Sequence, residues 1–223
     1  MLLAARDLRK EFISGARPYP AADGVSIRVN AGDFVAITGR SGSGKSTLLN
    51  MIVGLVKPDS GSIVFEGNEI TTMDDEALSS LRRTRIGYIP QGHGAVGYLD
   101  VKENVILPAA LQGDFEEAAN AARRMTGLLD ELGIVHLADE YPSRLSGGEL
   151  RRVAIARSLI SSPALLLADE PTSDLDRETT AEIMNVFAAI NDNGTTVIMV
   201  THDEDAASFA DIRYIMERGK VRS

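Results

Sequence analysis

The sequence predicts an α/β fold with a mostly parallel sheet, an N-terminal part rich in β-structure and an inserted helical segment. Apolar runs of strand length alternate with helical patterns on both sides of the chain's middle. The stretch 92–161 between them shows helical spacing only, and a glycine-rich loop joins a strand to a helix near residue 40. Strands that alternate with helices favour a parallel sheet covered on both faces.

Each predicted element has a local signal. The N-terminal strands are apolar runs between turn residues, at 2–5, 25–29, 34–37, 62–65 and 86–91. Acidic residues begin and basic residues end a helix at 74–85, which suits the helix dipole. Helices follow at 101–112, 115–132 and 148–161. Alternation then resumes with strands 164–168, 195–200 and 212–216 around helices 179–190 and 204–210.

Composition excludes several classes of function. The net charge of −9 argues against a nucleic-acid binder, which needs a basic face, so we expect no nucleic-acid partner. The chain has no cysteine, which excludes disulfides and thiol chemistry and fits a reducing compartment. No apolar run approaches the roughly 20 residues that span a bilayer, and the N-terminus is charged too early for a secretory signal. A membrane role would therefore require a partner.

The loop at 39–47, GRSGSGKST, is suited to bind polyphosphate. Its glycines let the backbone turn with N–H groups pointing inward, next to a helix start. Lys45 can reach the outer phosphates, and the Ser46 hydroxyl can join a magnesium shell. A turn that binds nothing is the alternative, but it leaves the strand, loop, lysine and serine in register unexplained. The predicted nucleotide-binding residues are Gly39, Ser41, Gly42, Ser43, Gly44, Lys45, Ser46 and Thr47.

Two acids, Asp169 and Glu170, end an apolar strand. Asp169 is placed to hold the magnesium shell, directly or through water, and Glu170 is the better candidate to orient or deprotonate the attacking water. Alone, the pair fits a solvated strand end equally well. The polyphosphate loop makes the functional interpretation the stronger one.

The sequence 145–149, LSGGE, places a serine and two glycines at the start of a second helix. Such a helix start binds anions, although serine and glycine are also ordinary helix caps. With the loop and the two acids, the chain resembles the nucleotide-binding subunit of ABC transporters over essentially its whole length. The resemblance implies a P-loop NTPase core with a mostly parallel sheet, an N-terminal antiparallel β-subdomain and an inserted α-helical subdomain. We expect one domain, 1–223, in which 1–91 and 162–223 form the β-subdomain and core and 92–161 the helical subdomain.

The resemblance also implies roles for single residues. The loop 39–47 matches the Walker A motif, and Asp169 with Glu170 match the Walker B aspartate and the catalytic glutamate. Gln91 matches the Q-loop glutamine, which in the family touches magnesium and reports to the membrane subunit. His202 resembles the switch histidine near the γ-phosphate. The implied catalytic residues are Lys45, Gln91, Glu170 and His202, and the implied metal ligands are Ser46, Gln91 and Asp169.

Other matches concern the rim of the site. Ser146, Gly147 and Gly148 match the signature that contacts the γ-phosphate across a dimer, and 173–176 resembles the D-loop. Phe12 resembles the aromatic residue that stacks on adenine, with Tyr19 as the less favoured candidate. Glu149 stands where the family usually has glutamine, and Asp174 stands where it usually has alanine. We expect function to survive both departures, with effects on rate and dimer strength.

The implied function is an ATPase that clamps two Mg-ATP between head-to-tail copies and drives integral membrane permease subunits. One chain presents two separated anion-binding helix ends, which cannot easily serve one phosphate. We expect an ATP-bound homodimer, cytoplasmic and peripheral on the inner face of the membrane through its permease. Residues 81–87, 103–105 and 107–108 favour the lipoprotein-releasing and macrolide-exporting branch, with the cell-division ATPase close to it.

Other functions remain as alternatives. A non-hydrolytic switch or scaffold could signal through membrane partners without transport, but Glu170 favours hydrolysis. A repair or translation protein of this family would carry long coiled coils or two ATPase units. A P-loop kinase would leave the signature and His202 unexplained.

Overall fold

The computed structural model describes residues 1–14, 17–92, 94–111 and 115–222. In these ranges the strands are β1 (Leu3–Ser14), β2 (Arg17–Val29), β3 (Phe34–Thr38), β4 (Ser60–Phe65), β5 (Asn68–Glu69), β6 (Ile86–Ile89), β7 (Leu165–Asp169), β8 (Thr196–Thr201), β9 (Ile212–Glu217) and β10 (Lys220–Arg222). The helices are α1 (Lys45–Ile52), α2 (Asp75–Thr84), α3 (Val101–Ala110), α4 (Phe115–Glu131), α5 (Gly147–Leu159), α6 (Arg177–Asp192) and α7 (Glu204–Ala207).

The N-terminal strands form an antiparallel sheet in the order β2-β1-β4-β5. The pairing of β1 with β2 continues from Leu3 opposite Val29 to Ser14 opposite Arg17. Both strands are therefore much longer than the predicted runs 2–5 and 25–29. Their polar outer halves carry little apolar alternation, so cross-strand pairing rather than sequence pattern extends them.

The second sheet has the order β10-β9-β3-β8-β7-β6. All neighbours in it are parallel except β10, which is antiparallel to β9. This confirms the predicted α/β class and the mostly parallel sheet. Thr38 pairs with Thr201, and Asp169 pairs with Val200, so β3, β7 and β8 end at one edge. The carboxyl ends of parallel strands are where ligands bind in open α/β sheets.

The core is divided by the parallel sheet. Val35 and Ile37 point to one face, where they pack with α1 and the antiparallel sheet. Phe34 and Ala36 point to the other face, against residues of α3 to α7. Side chains of a strand alternate between faces, so one buried strand, β3, holds the β-rich part and the helices on opposite sides of the sheet.

Two predicted boundaries shift near the site. The predicted strand 86–91 ends at Ile89, because Pro90 has no N–H to continue the ladder, and Gln91 lies in a bend. The predicted helix 204–210 is only four residues long, Glu204–Ala207, and Asp203 caps it. In the described part of 92–161 the regular elements are helical, as predicted. His136, which belongs to none of the motifs, is exposed, and His93 lies outside the described residues.

Candidate nucleotide site

The loop before α1 is shaped by two glycines. Gly44 is the N-cap of α1 at φ +106, and a Cβ there would lie 2.0 Å from the carbonyl oxygen of Ala21. A Cβ on Gly39, at φ +151, would lie 2.2 Å from the carbonyl oxygen of Met216. Only glycine fits these left-handed, closely packed positions. The loop is thus pressed between β2 and β9 with no space for a side chain.

The start of α1 presents positive charge. No side chain caps it, and its first turn carries no acid, so its first N–H groups and its dipole face the cleft. Lys45 is 6% exposed, and its Nζ donates to the carbonyl oxygens of Gly39 at 2.8 Å and Arg40 at 3.3 Å. Nζ also lies 3.6 Å from Glu170 Oε1. This arrangement suits phosphate oxygens.

Ser46 and Asp169 form the candidate magnesium position. The Ser46 hydroxyl donates to Asp169 Oδ1 at 3.0 Å, although 123 residues separate them. Burial raises the pKa of Asp169, against the effect of the hydrogen bond from Ser46. With the Gln91 amide these groups offer the oxygen ligands that Mg²⁺ prefers. The described residues contain no cluster of three or more histidine or acidic side chains at metal distance, and Mg²⁺ at nucleotide sites uses few carboxylates besides phosphate.

Glu170 and His202 form the next layer of the site. His202 Nδ1 lies 2.8 Å from Glu170 Oε2, and its backbone N–H donates to the same oxygen at 3.4 Å. Glu170 has φ +50, a left-handed conformation uncommon for glutamate. Such strained residues cluster at functional sites. The structure therefore joins Lys45, Glu170 and His202 in one chain of polar contacts.

These residues surround a cleft of about 190 Å³. Its lining from the predicted loop is Ser41, Gly42, Gly44, Lys45, Ser46 and Thr47. Gln91 and Glu170 also line it, so the structure brings together most of the predicted site. The Ser43 hydroxyl is buried without a hydrogen-bond partner among the described residues. An unpaired hydroxyl inside a glycine-rich loop is consistent with a polar ligand nearby.

The aromatic residue at the cleft is Tyr19. Tyr19 lines the cleft beside Ala21 and is 47% exposed. Phe12, the favoured candidate from the sequence, pairs with Tyr19 across the β1–β2 hairpin, with ring centroids 6.1 Å apart. Lys10 Nζ lies 5.7 Å from the Phe12 ring centre. The hairpin thus makes the two rings neighbours and puts Tyr19 nearer to the phosphate loop.

The signature residues lie elsewhere. Ser146 caps α5, and its hydroxyl donates to Glu149 Oε2 at 2.8 Å while Glu149 Oε2 also accepts from the Ser146 N–H at 2.7 Å. The backbone hydrogen bond, then the hydroxyl, lowers the pKa of Glu149. Gly147 packs by Leu175 and Gly148 by Thr179. None of the three signature residues lines the cleft of the same chain, and the unusual Glu149 closes a capping box.

Three polar residues outside the lining of the cleft are absent from the predicted site. Tyr88 donates to Asn50 Oδ1 at 3.1 Å, and burial, with the Asp169 charge, raises the pKa of Tyr88 to about 12. Asn104 is fully buried and binds backbone groups of residues 96, 99 and 100. Arg151 is 5% exposed. Each of the three stands where its helix or strand would otherwise place an apolar residue. A polar residue at such a position indicates a buried side chain that has a hydrogen-bond partner.

The start of α1 is shaped by glycines and carries a buried lysine, and it lies beside the acid pair at the end of β7. This combination defines a P-loop nucleotide-binding fold. Comparisons with known proteins agree. A family model described as ABC transporter matches residues 22–173. The lipoprotein-releasing system ATP-binding protein LolD of Aquifex aeolicus is 40% identical over 99% of this chain and 96% of its own length.

The macrolide export ATP-binding/permease protein MacB of Syntrophobacter fumaroxidans is 40% identical over 94% of this chain. The chain spans 29% of that relative's length. A dimeric ABC transporter cassette, MJ0796, superimposes with a TM-score of 0.89 at 34% identity over 100% of this chain and 97% of that one. The same cassette was also solved as a dimer in a post-hydrolysis state bound to ADP and Pi, with a TM-score of 0.88 at 33% identity.

The chain therefore belongs to the ABC transporter family, as an ABC ATPase cassette similar to the LolD and MacB ATP-binding proteins. This confirms the resemblance and the ABC ATPase fold that the motifs implied. In the part of the chain that the structure describes, no helix has the length and apolar character needed to cross a bilayer.

Proposed function

We propose that this cassette hydrolyses ATP as one half of a homodimer, at the inner face of a membrane, and drives permease subunits of the lipoprotein or macrolide export type. One observation carries the proposal. The chain holds two anion-binding helix starts, at Lys45 and at Ser146, and the second does not line the cleft of the first. A second copy, placed head to tail, brings each signature to the other copy's cleft. The dimeric MJ0796 structures support this arrangement.

The chemistry follows from the contacts. Lys45 and the α1 N–H groups bind the outer phosphates, and Tyr19 or Phe12 stacks on adenine. Mg²⁺, held by Ser46 and Asp169 with Gln91, would neutralise charge on the phosphate oxygens. Glu170 accepts a hydrogen bond from the attacking water and takes its proton as the water oxygen bonds to the γ-phosphorus and the bond to ADP breaks.

His202 positions the base. Its ring nitrogen lies 2.8 Å from the Glu170 carboxylate, while 65% of the histidine side chain is exposed toward solvent. With a proton on Nδ1, the ring donates to Glu170 and holds the carboxylate facing the cleft. Glu170 then has one oxygen near Lys45 and one on His202, which leaves little freedom for rotation.

Coupling requires the two parts of the chain to move. Ser146, Gly147 and Gly148 of one copy would hold the γ-phosphate bound to the other, so hydrolysis removes the charge that holds the copies together. We propose that 92–161 moves as a helical subdomain against a core formed by 1–91 and 162–223. Opening and closing of the dimer then drives the permease.

The test uses the Glu170→Gln variant, which slows hydrolysis and keeps the shape of the site. Light scattering should give a monomer without nucleotide and a dimer with saturating Mg-ATP. Adding Ser146→Arg should abolish the dimer and leave ATP affinity within about twofold, because the arginine blocks only the interface. Ser80→Arg, on the exposed face of α2, is the control and should still dimerise. A dimer in the Ser146→Arg variant would contradict the proposal.

Hydrolysis itself is tested by comparing wild type with Glu170→Gln. Loss of the base should lower kcat roughly 100-fold or more. Equal rates would remove Glu170 as the base and would favour the alternative of a nucleotide switch that acts through membrane partners without hydrolysis.

A groove of about 280 Å³ is the best candidate for contact with the permease. It lies between the C-terminal end of α1 and the helical part, and it is lined by Leu55, Arg82, Pro108 and Arg157. Leu55 is 56% exposed, so an apolar anchor is surrounded by cations, which suits a short permease helix with apolar and acidic residues. Leu55→Asp should reduce co-purification with the co-expressed permease, whereas Leu111→Asp, at a leucine that is 73% exposed and lies outside the groove, should not.

A further inference from the structure

A buried cation connects the signature helix to the turn that carries Gln91. Arg151 lies in the second turn of α5, five residues after Ser146, and it is 5% exposed. Its Nη1 donates to the carbonyl oxygen of Gly92 at 2.7 Å. Gly92 directly follows Gln91, which lines the cleft. A hydrogen bond from a charged donor thus joins α5 to the turn that carries Gln91.

The guanidinium of Arg151 is buried away from water. Burial lowers the pKa of Arg151, and attraction by the Asp174 carboxylate opposes that shift. A buried cation needs hydrogen bonds to replace those it loses to water. The Gly92 carbonyl supplies such a bond to Arg151, so the contact between α5 and this turn is costly to break.

The same segment has further attachments to the helical part. Arg157, also on α5, donates from Nη1 to the Gly94 carbonyl at 2.7 Å. The amide of Asn104, on α3, donates to the carbonyls of Val96 and Leu99. The backbone after Gln91 is therefore held by α3 and α5, and displacement of α5 is transmitted to it.

We propose that Arg151 is a positioning residue for ATP hydrolysis: it fixes the Gln91–Gly92 turn to α5, so that engagement of the signature sets where Gln91 stands in the cleft. This inference rests on the proposed role of Gln91. Arg151 does not line the cleft, so in this proposal it acts on the catalytic step and leaves nucleotide binding to the phosphate loop.

The experiment is a double-mutant cycle on the full chain. Arg151→Met keeps an unbranched side chain that replaces the apolar stem of the arginine, and it removes the donor and the charge. We expect kcat for Mg-ATP to fall about tenfold, as for other residues that orient a ligand of the reacting group. The ATP affinity, measured in the Glu170→Gln background, should stay within about twofold. In a Gln91→Ala background Arg151→Met should lower kcat no further, because residues that act through one another are not additive.

The control is Arg124→Met. Arg124 also donates to a backbone carbonyl, that of Ile160 at 2.7 Å, at the far end of α5 from the cleft. It should lower the melting temperature without lowering kcat at 25 °C. Arg151→Lys, which keeps the charge and one donor, should restore part of the rate. A folded Arg151→Met variant with wild-type kcat, or one whose effect adds fully to that of Gln91→Ala, would overturn the inference.

Two further outcomes keep the test decisive. If Gln91→Ala has wild-type kcat, the proposed role of Gln91 fails and the inference fails with it. If Gln91→Ala is slow while Arg151→Met is not, only the inference fails. Should Arg151→Met not fold, Arg151→Gln decides, because its amide stays polar but is too short to reach the Gly92 carbonyl. It should lower kcat about threefold with unchanged ATP affinity, and a wild-type kcat would overturn the inference.

Discussion

The helices α1 and α5 both begin next to serine and glycine residues, and both starts are candidate anion sites. They differ in how the helix start is capped. α1 follows Gly44, has no side-chain cap and no acid in its first turn, and begins with Lys45. α5 follows Ser146, whose side chain caps it, and has Glu149 in its first turn. The N–H groups at the start of α1 have no side-chain partner, so they and the helix dipole are available to a ligand. At the start of α5 the capping box already satisfies part of the N–H donors.

The difference in capping bears on the proposed dimer. At α5 the Ser146 hydroxyl donates to Glu149, so a phosphate must take that hydroxyl from a carboxylate of the same charge sign. At α1 the contacts of Lys45 are neutral carbonyls and Glu170. We therefore propose that nucleotide binds first to the phosphate loop and that the signature joins when a second copy supplies the rest of the contact area.

The largest effect that can test this comparison is on folding. Gly44→Ala should destabilise the protein by about 3 kcal/mol, because a left-handed alanine is strained and its Cβ overlaps the Ala21 carbonyl oxygen. The matched change at the other helix, Gly147→Ala, places a Cβ 3.4 Å from a Leu175 methyl and should cost less than about 1 kcal/mol. Urea unfolding measures both. Equal losses would mean that the two loops are not differently constrained.

The next effect is on nucleotide affinity. Lys45→Ala removes the ammonium beside the phosphate loop and should weaken ATP binding roughly 100-fold, the equivalent of about 2.7 kcal/mol for charge-assisted contacts. Titration with a fluorescent ATP analogue measures it. The Ser146→Arg variant, which changes the other helix start, should bind ATP as wild type does. Unchanged affinity in Lys45→Ala would contradict the assignment of the cleft.

A smaller effect is expected at the capping box. Glu149→Gln keeps a hydrogen-bond acceptor for the Ser146 N–H and removes the charge that competes with phosphate. The ATP-dependent dimer should become about threefold tighter, with ATP affinity of the monomer unchanged. Sedimentation of Glu170→Gln with and without Glu149→Gln measures the dimer constant. A weaker dimer would show that the carboxylate helps to bind rather than competes.

The smallest effect is the pH dependence of that cap. The pKa of Glu149 is lowered in the folded chain from its ordinary value of 4.5. The charged form therefore adds stability above the unfolded pKa, and this contribution is lost as pH falls through the folded pKa. Wild type should melt slightly above Glu149→Gln at pH 7, and the difference should vanish on acidification below pH 4.5. Glu131→Gln, at the exposed end of α4, is the control for loss of one charge.

Much of the fold could be predicted because its signals are local. The buried strands β3, β7 and β8 and the helix α2 with its Asp74 cap lie within a residue or two of the predicted bounds. The β1–β2 hairpin could not be predicted at its full length, because its outer half is paired but not apolar. The sequence favours Phe12 over Tyr19, whereas Tyr19 is the one that lines the cleft. Which strand of a hairpin faces a loop depends on how that hairpin packs, and no local pattern shows it.

The sequence by itself determined the strand–loop–helix of residues 34–52, the acids that end β7 and the Ser146–Glu149 box, since periodicity, glycine and capping act over a few residues. Tertiary structure alone decided that Ser46 meets Asp169, that His202 meets Glu170 and that Arg151 meets Gly92, across 123, 32 and 59 residues. For the first two contacts the physical reason is strand register, and for the third it is the packing of α5 against the turn after β6. The order β3-β8-β7 brings three distant strand ends to one edge, and no local pattern encodes which strands become neighbours.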